Sequence, residues 1–290
     1  MGHLFGDISY DTGASFLEDS EKYPHKEIKT SDYIEHLGGG SWTGYNDYKA
    51  FISQNKDYDS KIAIVIPCYN QEKYIKETIQ SVKDQDYPDF SCVIVNDGST
   101  DKSEDIILSE IYGDQRFRYF RIENSGPGYA RNFGIQKTSS EYILCLDSDD
   151  LISSRYIKDA IEFLDKNQDI TLYYGDAEYL YDSGKTSKFN LPEFNYPNLL
   201  YGNMIYVSGI FRRERYDEVG GFDEVIGGFE DWEFLIRLLY GGKKVYKSSD
   251  LVFWYRQHPG TRNQEAIMNI DKWIMEIHNK NQKIYDEYSL

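Results

Sequence analysis

Between residues 61 and 146 the chain alternates short, continuous apolar runs with stretches of helical periodicity, and this alternation constrains the fold more than any other feature. Continuous apolar runs are typical of strands that are buried on both faces of a sheet. The predicted strands are 62–66, 92–95, 117–122 and 142–146, and the helices predicted between them are 74–82, 103–111 and 129–136. Strands and helices alternating at this spacing predict an α/β fold with a doubly wound, mostly parallel sheet flanked by helices.

Three of these strands lead directly into polar segments. The segments follow the first, second and fourth strands and read Pro67-Cys68-Tyr69-Asn70, Asn96-Asp97-Gly98-Ser99 and Asp147-Ser148-Asp149-Asp150. A parallel sheet of this kind binds its ligand beyond the carboxyl ends of its strands. We therefore expect these polar side chains to converge on one edge of the sheet.

The pattern is weaker after residue 150. A helix at 155–166 and a strand at 171–174 are followed by an irregular stretch to about residue 206, and an amphipathic helix at 232–239 ends at two glycines. Near the C-terminus an isoleucine stripe is broken by Asn281, and its members are Ile267, Ile270, Ile274, Ile277 and Ile284. This stripe is too short for a coiled coil, so we expect it to dock on the domain.

We divide the chain into three parts on this basis. Residues 1–60 show no sustained period and are interpreted as an appended N-terminal segment whose role stays open. Residues 61–262 form the α/β domain, and residues 263–290 form a C-terminal helix packed on that domain.

The charge of the chain excludes some ligand classes. Lys and Arg total 32 against 49 Asp and Glu, a net charge of −17, which repels nucleic acid and disfavours an anionic membrane surface. The same field opposes a diphosphate, because two unit charges about 4 Å apart interact by roughly 4 kcal/mol at an effective dielectric of about 20. A bound cation would offset that repulsion.

Cysteine usage and the absence of targeting signals indicate the compartment. Cys68, Cys92 and Cys145 lie in apolar stretches without the spacing of a zinc site, so we interpret them as reduced core residues. The sequence shows no signal peptide and no apolar run long enough to cross a bilayer. We expect a cytoplasmic protein without a transmembrane segment; peripheral attachment to the inner face of the membrane and oligomerisation through the terminal segments stay open.

The acidic triplet Asp147-Ser148-Asp149 is the first candidate for chemistry. Two carboxylates separated by one residue just beyond a buried strand can both reach a divalent cation, and such a cation bridges diphosphate oxygens. In isolation the triplet could equally be a solvated acidic turn. The neighbouring strand ends, which carry Tyr69 and Asp97, favour the functional interpretation.

Two further loops are weaker candidates. Asp97 could accept a hydrogen bond from a base or a ribose hydroxyl, although Asp-Gly-Ser-Thr is also a common turn and helix cap. The loop at 126–132 resembles a dinucleotide-binding loop, but it follows the third strand and has Arg131 where the third glycine belongs. It either approaches a phosphate or base, with Arg131 as a fixed charge, or is an ordinary glycine-rich helix start.

Glu230 and Asp231 open the amphipathic helix. Carboxylates in a first turn stabilise a helix through its macrodipole, which alone could account for the pair. Two glycines, Gly227 and Gly228, would however let the pair approach a ligand, and Trp232 could offer an apolar face to a sugar ring.

His258 follows a predicted strand in a loop that also contains Arg256 and Arg262. A lone surface histidine is more often ordinary than a ligand. The two arginines are candidate diphosphate contacts or solvated surface charges.

Together these segments resemble glycosyltransferase family two, the inverting enzymes with the GT-A fold. The similarity extends over about 61–262, and its elements occur in the family's order. They are Val65-Ile66-Pro67-Cys68-Tyr69-Asn70, Asn96-Asp97-Gly98-Ser99-Thr100-Asp101, Ala130-Arg131-Asn132, Asp147-Ser148-Asp149-Asp150, Gly220-Gly221-Phe222-Asp223 and Glu230-Asp231-Trp232.

The resemblance implies roles for individual residues at the donor side. Pro67 and Tyr69 would line the nucleoside pocket, with Asp97 bonding the base and Arg131 beside it. In the DxD motif Asp147 would face the ribose, and Ser148 would belong to the same binding segment.

The resemblance also implies a metal and a catalytic pair. Asp149 would hold Mn²⁺ or Mg²⁺ on the diphosphate, with Asp147 and His258 as the other metal-ligand candidates. Asp231 would be the general base, and Glu230 would lie beside it near the acceptor.

The implied function is metal-dependent, inverting transfer of a hexosyl or N-acetylhexosaminyl group in polysaccharide or glycan biosynthesis. The donor would be a nucleotide-diphosphate sugar, with a UDP-sugar favoured, and the acceptor a hydroxyl of a carbohydrate or lipid-linked molecule. One alternative is a sugar nucleotidyltransferase, although the glycine-rich basic loop that such enzymes carry after the first strand is missing from Cys68-Tyr69-Asn70-Gln71-Glu72. The other is a non-catalytic carbohydrate-binding protein, which would not require Asp149 and Asp231 together.

Overall fold

The computed structural model describes residues 60–189, 191–259 and 266–288. The predicted N-terminal segment and Arg262 lie outside these residues, apart from Ser60. The first half of the described chain contains the predicted strand and helix repeats. These elements are β1 (Ile62–Cys68), α1 (Ile75–Lys83), β2 (Phe90–Asp97), α2 (Ser103–Ile111), β3 (Phe117–Ile122), α3 (Pro127–Gln136) and β4 (Tyr142–Cys145).

The second half contains more regular structure than its sequence pattern predicts. The elements are β5 (Leu151–Ile152), α4 (Tyr156–Lys166), β6 (Ile170–Tyr181), β7 (Thr186–Phe189), α5 (Tyr196–Leu199), β8 (Ile210–Arg212), α6 (Arg213–Val219), α7 (Glu230–Leu239), β9 (Lys244–Gln257), α8 (Ile270–Lys280) and α9 (Gln282–Tyr288). The strand predicted at 171–174 continues to Tyr181, and β7 pairs with its outer part. The C-terminal part of β6 is only partly buried, so its sequence lacks the continuous apolar run that is typical of a strand buried on both faces.

The strands form one sheet in the order β3-β2-β1-β4-β8-β6-β9-β5, with β7 added to β6. Strands β3, β2, β1 and β4 are parallel, which confirms the predicted α/β sheet. Strand β8 is antiparallel to both β4 and β6, while β9 is parallel to β6. In the register of β1 and β2, Cys68 lies opposite Asn96, so the polar segments after these strands open at the same edge.

Both faces of the central sheet are covered, which explains the continuous apolar run of β1. Ile62, Ile64 and Ile66 belong to the core on one face, and Val65 belongs to the core on the other. Helix α3 approaches that second face closely at Gly134, where a Cβ would collide with Val65. Because the side chains of β1 pack into both cores, the end of the strand and the loop that follows it are held in a fixed position.

The C-terminal residues form two helices where the sequence predicts one. Two helices, α8 and α9, are separated at Asn281, and they do pack on the domain. Of the predicted stripe, however, Ile277 is fully buried, whereas Ile267, Ile270 and Ile274 are exposed. Trp273 packs beside Gly227, where a Cβ would lie 2.6 Å from Cη2 of the indole.

None of the helices in the described ranges has the length and apolar character needed to cross a membrane.

Candidate active site

A cleft of about 590 Å³ opens at the carboxyl edge of the parallel strands. All the predicted site residues except His258 line it, and His258 contacts one of them. The lining members of that set are Pro67, Tyr69, Asp97, Arg131, Asp147, Ser148, Asp149, Glu230 and Asp231. The two carboxylates expected on opposite sides of the reaction, Asp149 and Asp231, therefore face the same space.

The loops after β1 and β2 hold each other in place. Asn70 has a left-handed backbone with φ 52°, a conformation that its short polar side chain tolerates. The Asn70 amide donates to Ser99 Oγ at 3.0 Å, and Asn70 Oδ1 accepts from the Thr100 amide at 2.8 Å. These bonds fix the backbone beside Tyr69, whose side chain is 48% exposed at the cleft.

Asp97 is buried and holds the loop before α3. Its two oxygens accept hydrogen bonds from the amides of Ser125 at 2.7 Å and Gly126 at 2.9 Å. The glycine-rich helix start is therefore present, with Pro127 in the first turn. The two amides that could have faced a phosphate donate to Asp97 instead.

Arg131 joins the DxD loop to the start of α7. Its Nη2 lies 2.7 Å from Asp147 Oδ1, and its Nη1 lies 2.7 Å from Glu230 Oε1. Burial opposes the charge of this guanidinium, but the two carboxylates outweigh that effect and raise its pKa. Arg131 thus fixes the first residue of the DxD motif and the neighbour of the expected base in one geometry.

Arg256 lines the cleft and anchors the DxD loop, so it is not a solvated surface charge. It is buried; its Nε donates to the Asp149 carbonyl at 2.7 Å and its Nη2 to Glu77 at 2.6 Å. Its amide donates to Asp150 Oδ1 at 2.8 Å. Burial, together with the charges of the neighbouring aspartates, raises the pKa of Asp150 well above its ordinary value.

Asp147 and Ser148, the other residues of the DxD motif, are held in place by their surroundings. Burial raises the pKa of Asp147, while Arg131 opposes that shift. Ser148 is buried, and its carbonyl accepts a hydrogen bond from Thr78 Oγ1 at 3.0 Å. The loop is therefore held from beneath by α1.

His258 lies against Asp149. Its Nε2 is 3.1 Å from Asp149 Oδ2, and its ring centroid is 4.5 Å from that of Tyr74. The hydrogen bond to Asp149 raises the pKa of His258, although burial opposes it. The histidine is thus part of the site and not an ordinary surface residue.

The donor set can be compared with the needs of a divalent cation. Across the described ranges, no three His, Cys, Asp or Glu side chains converge as a complete cage, and Asp147 is bound to Arg131. Asp149 and His258 supply one oxygen and one nitrogen. Such a pair fits a cation that takes its other ligands from water and a bound diphosphate, as Mg²⁺ commonly does.

Asp231 lies at the start of α7 on the other side of the cleft. The preceding residue, Phe229, has φ 61°, a left-handed conformation that is unfavourable for an aromatic residue and typical of functional turns. Asn203 Nδ2 donates to Asp231 Oδ2 at 3.0 Å. Burial and the adjacent Glu230 raise the pKa of Asp231 from 3.8 to about 6, although Arg131 opposes the shift.

Trp232 does not offer its face to a sugar. The indole is buried, with its Nε1 donating to the Leu199 carbonyl at 2.6 Å, and it is absent from the cleft wall. This expectation was wrong because the helix points Glu230 and Asp231 towards the cleft and the next residue towards the core.

Several cleft residues had no recognisable signal in the sequence. They come from the stretch between β6 and β8 and from β9: Phe189, Leu191, Asn203, Met204, Ile205, Tyr206, Val207, Phe253 and Tyr255. No periodicity marks this stretch, and only the folded chain brings Asn203 within hydrogen-bonding distance of Asp231.

The mostly parallel α/β sheet flanked by helices is the GT-A fold, and solved GT-A glycosyltransferases are structural neighbours of this protein. The chain belongs to glycosyl transferase family 2, because the model of that family matches residues 63–219. The predicted family and fold are confirmed.

Two sequence relatives show how far the similarity extends. An uncharacterized glycosyltransferase of Methanocaldococcus jannaschii is 28% identical over 238 residues, which cover 79% of this chain and 78% of that protein. The poly(ribitol-phosphate) beta-N-acetylglucosaminyltransferase TarS of Staphylococcus aureus is 36% identical over 112 residues, 37% of this chain and 19% of TarS. The chain spans less than a third of the length of several other curated relatives that it matches.

A solved structure supports the same placement. The crystal structure of S. aureus TarS residues 1–349 in complex with UDP-GlcNAc superimposes with a TM-score of 0.60 and 25% identity. The match covers 71% of this chain and 61% of the TarS chain.

Proposed function

We propose that this protein is an inverting glycosyltransferase that moves a sugar from a nucleotide-diphosphate sugar to an acceptor hydroxyl. The observation that carries the proposal is the pairing of Asp149 and Asp231 across one cleft, with the pKa of Asp231 raised to about 6. A carboxylate with that pKa is ionised at neutral pH and is a stronger base than an ordinary aspartate. Family membership supports the same activity.

In the proposed reaction Asp231 takes the proton of the acceptor hydroxyl as that oxygen attacks the anomeric carbon. The bond between the anomeric carbon and the diphosphate oxygen breaks, and its electron pair departs with the nucleoside diphosphate. Attack occurs opposite the leaving group, so the anomeric configuration inverts. Asn203 orients Asp231, and the negative charge of Glu230 keeps it basic.

The donor would lie along the strand ends. Tyr69 and Asp97 line the part of the cleft proposed for the nucleoside, and Asp149, with His258 beside it, would face the diphosphate. A Mn²⁺ or Mg²⁺ ion held by Asp149 and His258 would supply the positive charge that stabilises the departing diphosphate. Asp147 would keep Arg131 in place beside that position.

UDP-GlcNAc is the first donor to test, because the TarS structure binds it. Purified protein is incubated with Mn²⁺ and a panel of UDP- and GDP-sugars, and release of nucleoside diphosphate is followed. We expect one donor to be turned over and the activity to be lost with EDTA. The matched controls are Asp231→Asn, which should be inactive, and Asp286→Asn at an exposed position on α9, which should behave as wild type. Absence of binding and turnover with every donor would refute the proposal.

A further inference from the structure

Three aromatic side chains form a partly exposed surface inside the cleft, which we call the aromatic wall: Phe189, Tyr206 and Tyr255. The Phe189 and Tyr255 ring centroids lie 6.2 Å apart with 29° between their planes. The buried Phe253 packs between Tyr206 and Tyr255 of the wall. Its ring centroid lies 4.2 Å from that of Tyr206, with 19° between the ring planes, and 6.4 Å from that of Tyr255, with 17° between the planes. Neighbouring rings of this group are thus inclined by 17° to 29°, and the group forms one apolar part of the cleft lining.

The wall is rigid where it approaches the proposed base. The Tyr206 hydroxyl donates to the Gly175 carbonyl at 2.9 Å, which holds the ring against β6. Tyr206 follows Asn203 by three residues, and Asn203 donates to Asp231 at 3.0 Å. One short segment thus carries both the hydrogen-bond partner of the proposed base and one ring of the aromatic wall.

The charges in the cleft complement this surface. Among the described residues that line it, the cations are Arg131 and Arg256, and both are engaged with carboxylates. Six acidic residues share the lining: Asp97, Asp147, Asp149, Asp150, Glu230 and Asp231. The donor diphosphate would bring a divalent cation with it, whereas a second phosphate on the acceptor would find no unpaired arginine or lysine among the described lining residues and would be repelled.

We propose that the acceptor is an uncharged sugar whose ring packs on the aromatic wall, and that anionic polyol phosphates are rejected. This inference rests on the proposed function and names the acceptor class of the same site. A pyranose ring has one face rich in C–H groups and a rim of hydroxyls. The aromatic wall suits that face, and Asp231 receives the proton of one rim hydroxyl.

The experiment separates sugar binding from turnover. Binding of methyl β-galactoside and methyl β-N-acetylglucosaminide is measured by saturation-transfer NMR in the presence of UDP, which requires no reaction. We expect Phe189→Ala and Tyr255→Ala to weaken binding about 3- to 10-fold, the range of a single aromatic contact. Tyr255→Phe retains the ring and should bind as wild type. The matched control Tyr112→Ala removes an aromatic ring that is 51% exposed on the surface outside the cleft, and it should change nothing.

Transfer assays then compare ribitol with ribitol 5-phosphate, and the two methyl glycosides serve as sugar acceptors. We expect the glycosides to raise nucleoside diphosphate release, and the phosphate to lower kcat/KM at least tenfold relative to ribitol. The KM for the donor should stay within about twofold in the wall variants. Unchanged sugar binding in both alanine variants, or a preference for ribitol 5-phosphate, overturns the inference. Failure of the proposed function is distinct: the sugars still bind, but no donor is turned over.

Discussion

Replacing Asp231 with Asn should abolish activity and stabilise the fold, and both effects come from one property of the site. Burial and the charge of Glu230 raise the pKa of Asp231 from 3.8 to about 6. A tenfold difference in proton affinity corresponds to about 1.4 kcal/mol. The ionised form of Asp231 in the folded protein is therefore disfavoured by about 3 kcal/mol.

The sign of the pH dependence follows from the direction of this shift. Between about pH 4 and pH 6 the folded state holds the Asp231 proton more tightly than the unfolded state, so the free energy of unfolding decreases as pH rises. Asn cannot ionise and can still accept the hydrogen bond from Asn203. The variant should match wild type below pH 4 and exceed it by up to about 3 kcal/mol above pH 6.

Activity should change in the opposite direction over the same range. A general base must be ionised, so kcat/KM of the wild type should rise with pH through an apparent pKa near 6. In Asp231→Asn turnover should fall by about 10²–10⁴, with donor binding little changed. The measurements are urea unfolding at pH 4 and pH 8 and a pH profile of nucleoside diphosphate release. If the wild type and Asp231→Asn were equally stable at pH 8, the raised pKa of Asp231 would be refuted. If the variant were fully active, the role of Asp231 as general base would be refuted.

Three further perturbations test the rest of the site. Arg131→Met leaves two carboxylates without their shared cation and should destabilise the fold by about 3–5 kcal/mol at pH 8. The loss of stability should be smaller in acid, because the carboxylates then take up protons, and urea unfolding at about pH 4 and pH 8 measures it. Gly227→Ala places a Cβ 2.6 Å from the Trp273 ring and should reduce both stability, by about 1–3 kcal/mol, and activity. Adding Trp273→Leu should recover part of the loss, and purely additive effects in thermal unfolding would contradict direct contact. Asp149→Ala should weaken UDP binding and make it insensitive to EDTA in calorimetry, whereas unchanged dependence on Mn²⁺ would remove this residue from the metal site.

The first half of the fold was predictable because its strands are buried on both faces. A strand such as β1 has no polar face, so it appears in the sequence as an unbroken apolar run that ends where the sheet ends. The residues after that run must lie at the carboxyl edge. For this reason the sequence predicts that Tyr69, Asp97 and Asp149 lie at one edge of the sheet.

The roles of charged residues were less predictable, because a sequence does not show their partners. Arg256 could have been a diphosphate contact or a surface charge, and in the structure it holds the DxD loop. Trp232 follows two cleft residues directly, yet the turn of the helix sends it into the core. Neighbouring positions in a helix point in different directions, so adjacency in sequence did not imply a shared site.

The sequence by itself determined the parallel part of the sheet, the edge at which the cleft opens and the polar residues at that edge. Each of these depends on local periodicity or on short motifs at strand ends. Only the tertiary structure decided which cations are already neutralised, which aromatic rings face the cleft and how far the pKa of Asp231 is raised. Those properties arise from groups distant in sequence, such as Asn203 and Asp231, which become neighbours only when the irregular second half packs against the sheet.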